Sequence, residues 1–197
     1  MKEKISELDK LNTYWQKNCQ CQLRETAKQA VLGCGNSKSS IVFIGEAPGK
    51  KEDEMGQPFI GAAGKFLDEM LGLIKVKRAD IYITNIVKYR PPNNRDPKPE
   101  EKADCREWLI AELKIIKPKL IVFLGRHALN SFFPEEKIGL VHGRVLIKRT
   151  PDLGTQMYLP LYHPAAVLYN GSLRATLIKD FKKIPKVLEK IRPQNIS

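Results

Sequence analysis

Apolar residues in this chain of 197 residues form short continuous runs and longer stretches in which they recur every three or four positions. The continuous runs are rich in β-branched and aromatic residues and predict strands that are buried on both faces. These predicted strands are 41–44, 81–87, 120–124, 145–147 and 157–162. The spaced stretches predict helices at 3–18, 62–75, 99–116, 126–133 and 172–191. Because strands alternate with helices, we expect an α/β fold with a mainly parallel sheet.

Length and composition predict one domain over residues 1–197, in which 1–40 supply an N-terminal helix and a cysteine-bearing loop. No apolar run reaches about 18 residues, and the charged N-terminus lacks the apolar core of a signal peptide. We therefore expect a cytoplasmic protein without membrane contact, and a monomer. The net charge of +12 favours nucleic acid as a partner, although charge alone leaves open a merely cationic soluble protein.

Four cysteines are present: Cys19, Cys21, Cys34 and Cys105. In a reducing compartment, the open interpretations are metal binding, redox chemistry and simple burial. Three of the four lie within 16 residues of one another. This clustering indicates an iron–sulfur or zinc site, although Cys-x-Cys is not the most common ligand spacing.

A strand, a glycine-rich turn and a predicted helix follow one another between residues 41 and 64. The turn, Gly45 to Gly49, comes directly after the strand, where glycine lets the backbone approach a ligand. Such an arrangement builds a ligand crevice at the carboxyl edge of an α/β sheet, although an ordinary connection has the same order of elements. The stretch matches neither the triphosphate nor the dinucleotide glycine motif, and its acidic residues would repel a pyrophosphate.

Polar side chains follow three of the predicted strands: Glu46, Asn85 and His163. Because the carboxyl ends of parallel strands share one crevice, we expect these side chains to converge. The Asn85 amide suits the edge of a nucleobase, but an asparagine at a strand end is also a common turn former. His163 is either a functional group or a bystander. Phe59, between proline and glycine, is either a core plug or a platform for a planar ligand.

Four motifs follow in order: G-E-A-P-G at 45–49, E-D-x-x-G-x-P-F-I-G-x-A-G at 52–64, T-N-I-V-K-x-R-P-P-x-N-R at 84–95 and H-P-A-A-V at 163–167. Together they closely resemble the family 4 uracil-DNA glycosylases, the iron–sulfur-containing bacterial and archaeal group, over most of the chain. The resemblance implies a three-layer α/β/α sandwich with a central, mainly parallel sheet of four strands. It also implies a monofunctional base-excision repair enzyme that flips uracil out of single- or double-stranded DNA and hydrolyses its N-glycosidic bond.

The resemblance assigns the contacts to the flipped base. Phe59 would stack on uracil, and the Asn85 amide would pair with O4 and N3–H, which cytosine cannot match. The backbone around Glu46 and Ala47 would contact the base. His163 would donate a hydrogen bond to O2 and stabilise the negative charge on the departing uracil.

The resemblance leaves two candidates for the catalytic carboxylate. Ala47 stands where other uracil glycosylases carry an aspartate. Glu46 or Glu52 would therefore orient water or stabilise the cationic sugar, with Glu46 favoured by its position and Glu52 as support. His127 and His142 have weaker contexts and are interpreted as structural.

The resemblance also places two groups of residues against DNA. The segment after the H-P-A-A motif would enter the minor groove, where an apolar side chain fills the gap left by the flipped base. Its candidates are Val167, Leu168 and Tyr169. The candidates for phosphate binding are Lys50, Lys51, Lys88, Arg90 and Arg95. Such binding weakens steeply as salt rises.

The cysteines depart from the pattern of the family, in which Cys-x-x-Cys and two later cysteines hold a [4Fe–4S] cluster. Cys21 and Cys105 occupy the second and fourth positions. The first position holds Asn18, with Cys19 displaced by one residue, and the third holds Tyr89. Two alternatives follow. Either Cys19 and Cys34 complete the ligand set, or the cluster is gone and Tyr89 fills its place.

Two further functions stay open at this point. A non-catalytic homologue that only binds uracil or DNA would explain the altered cysteines, although the intact Glu46, Asn85 and His163 argue against it. A glycosylase with broader specificity would accept hypoxanthine or other deaminated bases, because Ala47 leaves room beside the base.

Overall fold

The computed structural model describes residues 6–191, which form one sheet with helices on both faces. The strands are β1 (Cys34–Gly35), β2 (Ile41–Gly45), β3 (Tyr82–Asn85), β4 (Leu120–Leu124), β5 (Leu146–Thr150) and β6 (Gly154–Leu161). The helices are α1 (Glu7–Asn18), α2 (Lys50–Met55), α3 (Ala62–Leu73), α4 (Pro99–Ile116), α5 (Arg126–Asn130), α6 (Ile138–Val141), α7 (Pro164–Tyr169), α8 (Leu173–Phe181) and α9 (Ile184–Ile191).

The strand order in the sheet is β1-β3-β2-β4-β6-β5. The four central strands, β3, β2, β4 and β6, are parallel, whereas the edge strands β1 and β5 pair antiparallel to them. The predicted parallel centre of four strands is confirmed, but the complete sheet has six. Strand β5 overlaps the predicted strand 145–147, whereas β1 has only two residues and is too short to give an apolar run.

Both faces of the central strands are buried, which confirms the three-layer sandwich. In β2, Val42 and Ile44 pack among residues of α1, α4 and α5. The alternate residues, Ile41 and Phe43, pack on the other face among residues of α3, α8 and α9. Helices on both faces explain why the sequence of a central strand is a continuous apolar run.

The helix predictions are confirmed for α3 and α4, although α3 ends two residues earlier than predicted. The predicted helix 172–191 is divided into α8 and α9, and the predicted turn after His163 is the helix α7. Residues 3–5 of the predicted helix 3–18 lie outside the described residues. Among residues 6–191, none of the helices has the length and apolar character needed to cross a membrane.

The order of the strands creates a crevice at the carboxyl end of β2. From β2 the chain passes to β3 on one side of it and then to β4 on the other side. Open α/β sheets bind ligands at such a reversal of strand order. Gly45 lies opposite Asn85 in the β2–β3 pair, so the residues that follow these two strands meet at one edge.

Candidate active site

A cavity of about 420 Å³ opens at this edge of the sheet. Its lining includes Glu46 after β2, Asn85 at the end of β3 and His163 after β6. Phe59, from the loop before α3, also lines it, with its ring centroid 5.7 Å from that of His163. The structure therefore brings together four side chains that the sequence singled out from four separate segments.

Gly45 allows two of these side chains to approach the end of β2. A Cβ atom at Gly45 would lie 2.5 Å from both Asn85 Oδ1 and the Phe59 ring. Non-bonded heavy atoms prefer separations of about 3.5–4 Å, so any larger residue would displace the amide or the ring. The glycine that opens the first motif is therefore required by the side chains that face it across the crevice.

The Asn85 side chain is buried, and its amide oxygen lacks a partner. The residue is 2% exposed, and within the described residues no donor reaches Oδ1. Leaving a buried acceptor unpaired costs about 1–3 kcal/mol. Native proteins keep such a group chiefly where a ligand or water completes it. Asn85 Oδ1 is thus an acceptor that is available to a ligand in the cavity.

Phe59 occupies a backbone conformation that bulky residues seldom adopt. Its φ angle is 54°, in the left-handed region. Directly after it, Glu52 Oε1 accepts the backbone N–H of Ile60 at 3.0 Å and of Gly61 at 2.7 Å. These bonds fix the loop that carries the ring. Because the Glu52 carboxylate already accepts these two backbone N–H groups, its position is consistent with the predicted supporting role of Glu52 beside Glu46.

His163 presents a neutral imidazole with a defined tautomer. Its Nδ1 accepts the backbone N–H of Ala165 at 3.1 Å. Burial, followed by the nearby His127, lowers the pKa of His163 to about 4, so the ring is uncharged near pH 7. A neutral imidazole that accepts at Nδ1 carries its proton on Nε2. His163 therefore offers a single N–H donor to a ligand.

Glu46 lies beside charged groups that sequence reasoning missed. Burial, followed by the Asp96 carboxylate, raises the pKa of Glu46 to about 7. His127 Nε2 lies 3.0 Å from Asp96 Oδ2 and 3.8 Å from Glu46 Oε2. His127 was interpreted as structural because its own sequence context gives no signal. The three residues follow three different strands, and only the tertiary fold brings them together.

Lys88 does not face DNA, and that prediction is wrong. Its side chain is fully buried, and its ammonium group bonds to the Thr84 hydroxyl and the Glu112 carboxylate. Glu112 on α4 is also fully buried and requires a cation, since an unpaired buried carboxylate is strongly destabilising. Lys88 therefore turns inward beneath the strand end that carries Asn85.

Only part of the segment predicted to enter the minor groove is exposed and so able to contact DNA. Because residues 164–169 form α7 rather than an open turn, Val167 faces inward, is 7% exposed and packs in the core. The prediction that Val167 contacts DNA is therefore wrong. Leu168 and Tyr169 are 52% and 90% exposed, and Tyr169 borders the cavity. Tyr169 is therefore available to DNA at the mouth of the site, and its neighbour Leu168 is exposed to solvent.

The other predicted phosphate contacts differ in their exposure. Lys50 and Lys51 are exposed in the first turn of α2, directly after the Gly45–Gly49 turn. Arg95 lines the cavity and is oriented by Glu101, with Nη1 2.8 Å from Oε2. The side chain of Arg95 keeps 37% exposure, which leaves part of the guanidinium open to solvent. Arg90 is half-buried.

Three of the four cysteines meet in the core with Tyr89. The neighbouring Cys105 thiol lowers the pKa of both Cys19 and Cys21. Tyr89 is 3% exposed and lies close enough to all three sulfurs to feel their charge. A [4Fe–4S] cluster takes four thiolates. Three thiols and one phenol do not match that donor set.

Cys34 is not part of this group, so its inclusion among the metal ligands is wrong. It lies in the edge strand β1, paired with Ile83 of β3. Burial raises the pKa of Cys34, while its neighbour Arg78 acts in the opposite direction. The sheet holds Cys34 at this edge, whereas the other three cysteines belong to the core cluster on one face.

Comparisons with known proteins agree with the motifs. The family model described as "Uracil DNA glycosylase superfamily" matches residues 32–192. The chain is 46% identical over 179 residues to the type-4 uracil-DNA glycosylase of Archaeoglobus fulgidus, covering 88% of this chain and 89% of that one. It is 42% identical to the type-4 uracil-DNA glycosylase of Saccharolobus solfataricus, over 87% of this chain and 82% of that one. It is 41% identical to the type-4 uracil-DNA glycosylase of Thermotoga maritima, over 86% of this chain and 88% of that one.

Proposed function

Since this chain belongs to the uracil-DNA glycosylase superfamily and to its type-4 family, we propose that it flips uracil out of DNA and hydrolyses the N-glycosidic bond. The observation that carries this proposal is the unpartnered, buried Oδ1 of Asn85 among residues 6–191. Uracil presents a donor, N3–H, beside an acceptor, O4. The Asn85 amide offers the complementary acceptor and donor on one planar group.

The same amide would reject cytosine. Cytosine has an acceptor at N3 and a donor at the neighbouring amino group, so both contacts to Asn85 would be mismatched inside a buried site. Sites built to hydrogen-bond a substrate discriminate strongly, because the wrong ligand leaves buried polar groups unpaired. Phe59 lines the cavity, and its ring would supply a face on which the flipped base stacks.

Cleavage breaks the bond between C1′ of the sugar and N1 of uracil, and the electron pair stays on the base. The Nε2–H of His163 would stabilise the charge that develops on O2, from a site already preorganised by its Nδ1 contact. Water then adds to C1′, and its proton passes to the Glu46 carboxylate. A carboxyl group with a pKa near 7 is suited to accept a proton near neutral pH.

DNA would bind through the basic surface around the cavity. Lys50 and Lys51 are the exposed candidates for phosphates, and Leu168 or Tyr169 is exposed beside the cavity to fill the gap in the stack. The net charge of +12 supports this partner. A monomeric state and a cytoplasmic location stay predictions from the sequence.

The test of the proposed function uses two oligonucleotides that differ at one position, one with uracil and one with thymine. We expect alkali to cleave only the uracil strand after incubation with the protein. A third strand with hypoxanthine measures the broader specificity. Binding of the uracil strand without cleavage at protein excess would contradict the enzyme and favour a non-catalytic homologue.

The excision rate is expected to rise with pH and reach a plateau above about pH 7. Glu46 must lose its proton to act as a base, and its pKa is about 7. His163 does not account for this rise, because its pKa is about 4. Single-turnover rates between pH 5 and 9 check this. In Glu46→Gln we expect the rate to be lower by about 10²–10⁴-fold and no longer to rise with pH. A wild-type slope that survives in Glu46→Gln would assign the titration to another group.

We also propose that Tyr89 replaces the third of the family's four cysteines and that no [4Fe–4S] cluster is held. The burial of the Tyr89 phenol, close enough to the three thiols to feel their charge, supports this proposal. Anaerobically purified protein is expected to contain little iron and to lack absorbance near 400 nm. Tyr89→Cys is expected to gain both, and Tyr89→Phe, which keeps the ring, neither. About four irons per wild-type chain would show that a cluster forms with fewer than four thiolates.

A further inference from the structure

A buried polar network lies beneath the strand end that carries Asn85. Glu112 on α4 and Lys88 in the loop after β3 are both fully buried and form an ion pair. The Tyr82 hydroxyl donates to Glu112 Oε1 at 3.2 Å, and the Thr84 hydroxyl donates to Glu112 Oε2 at 3.1 Å. The Lys88 ammonium group also donates to the Thr84 hydroxyl oxygen. Each of these four polar side chains therefore has a partner within the network.

The network lies on the face of β3 that is opposite to the cavity. Tyr82 and Thr84 point to the face that α4 covers, where both contact Glu112. Successive side chains of a strand point to opposite faces, so Asn85 points to the other face, where it lines the cavity. Because Lys88 and Glu112 are fully buried, any effect of this pair on a ligand has to pass through β3.

The contacts of the network flank Asn85 along the chain. Thr84 is the residue before it, and Lys88 follows three residues after it. Between them, the backbone N–H groups of residues 86 and 87 donate to carbonyls at the end of β2 and in the turn that follows, at 3.0 and 3.2 Å. The segment that carries the amide is thus fixed by backbone bonds on the side of β2 and by the network on the side of α4.

We propose that Lys88 and Glu112 are positioning residues for Asn85, holding the end of β3 so that the amide stays where it can pair with uracil. This inference rests on the proposed role of Asn85 in base recognition. Stability alone does not account for the pair, because apolar residues of similar volume are often at least as stabilising as a buried ion pair. Fully satisfied buried networks are directional and rigid. A displacement of about 1 Å at a reacting site can slow an enzyme about 100-fold.

Two double variants without the ion pair separate positioning from stability. Lys88→Met with Glu112→Leu removes both charges and the contacts to β3 at similar volume, so the chain should fold. Lys88→Met with Glu112→Gln removes the same charges but keeps an amide that can bond to the Tyr82 and Thr84 hydroxyls. We expect single-turnover excision of uracil to slow by roughly 10- to 100-fold in the first double variant. The second should recover most of that loss.

A double-mutant cycle tests whether the effect passes through Asn85. Asn85→Ala removes the amide, so adding Lys88→Met and Glu112→Leu to it should slow excision little further, whereas independent effects would multiply. Asp180→Asn on α8 is the matched control. Asp180 is 2% exposed and pairs with Lys183, so its substitution should lower the stability but leave the excision rate of the folded protein unchanged.

The outcomes separate this inference from the proposed function. If Lys88→Met with Glu112→Leu folds and excises uracil at the wild-type rate, the pair has no positioning role while the glycosylase stands. An effect that multiplies with that of Asn85→Ala would also overturn the inference. If the double variant does not fold, Thr84→Val decides, because it removes the hydroxyl next to Asn85 and must still slow excision non-additively with Asn85→Ala. A wild-type protein that excises no uracil would overturn the proposed function itself.

Discussion

Asn85→Asp is expected to lower the preference for uracil over cytosine by at least about 100-fold. The aspartate lacks the N–H that would pair with O4 of uracil. When protonated it offers a donor and an acceptor in the order that N3 and the amino group of cytosine require. Burial favours this neutral form, because Asn85 is 2% exposed. Single-turnover rates on matched duplexes that carry uracil or cytosine at one position measure the ratio.

Asn12→Asp is the matched control for this substitution. Asn12 is also buried, at 7% exposure, but lies on α1, where its Oδ1 accepts the Trp108 indole N–H at 3.0 Å. An aspartate there keeps the acceptor, so the selectivity should not change. If Asn85→Asp folds and keeps the wild-type ratio of uracil to cytosine cleavage, Asn85 does not recognise the base.

His163→Ala is expected to slow the cleavage step by about 10²–10³-fold. The variant removes the Nε2–H donor that we propose stabilises the charge on O2, whereas the cavity and the basic surface proposed to bind DNA are unchanged. Affinity for uracil-containing DNA should therefore stay close to that of the wild type. Fluorescence anisotropy measures the affinity, and single-turnover quench experiments measure the rate.

His142→Ala serves as the histidine control. His142 Nδ1 lies 2.6 Å from Asp180 Oδ2, on a side chain that also pairs with Lys183. Its loss should lower the stability without changing the cleavage rate of the folded protein. A wild-type rate in His163→Ala would show that the departing base is stabilised by another group.

Much of the fold could be predicted because its signals are local. The central strands have continuous apolar runs, and α4 begins at Pro99 with acidic residues in its first turn. The meeting of Glu46, Asn85 and His163 in one cavity also follows from a general property of parallel sheets. The edge strand β1 escaped prediction because two residues give no pattern.

The parts that sequence reasoning missed depend on partners that are distant along the chain. A basic loop gives no sign that Lys88 is buried, since its partner Glu112 lies 24 residues away. Asp96 and His127 lie 31 positions apart in the sequence, and only the packing of α5 against the loop brings them to Glu46. Local spacing also cannot reveal that α7 turns Val167 into the core.

The most direct test of uracil excision is to identify the base that the protein releases. One duplex containing a single uracil among ordinary bases is incubated with the wild-type protein, and the free bases are quantified by mass spectrometry. We expect uracil alone, in an amount equal to the abasic sites formed. Release of cytosine or thymine at a comparable rate, or DNA that is bound without release of any base, would contradict a site organised around the Asn85 amide.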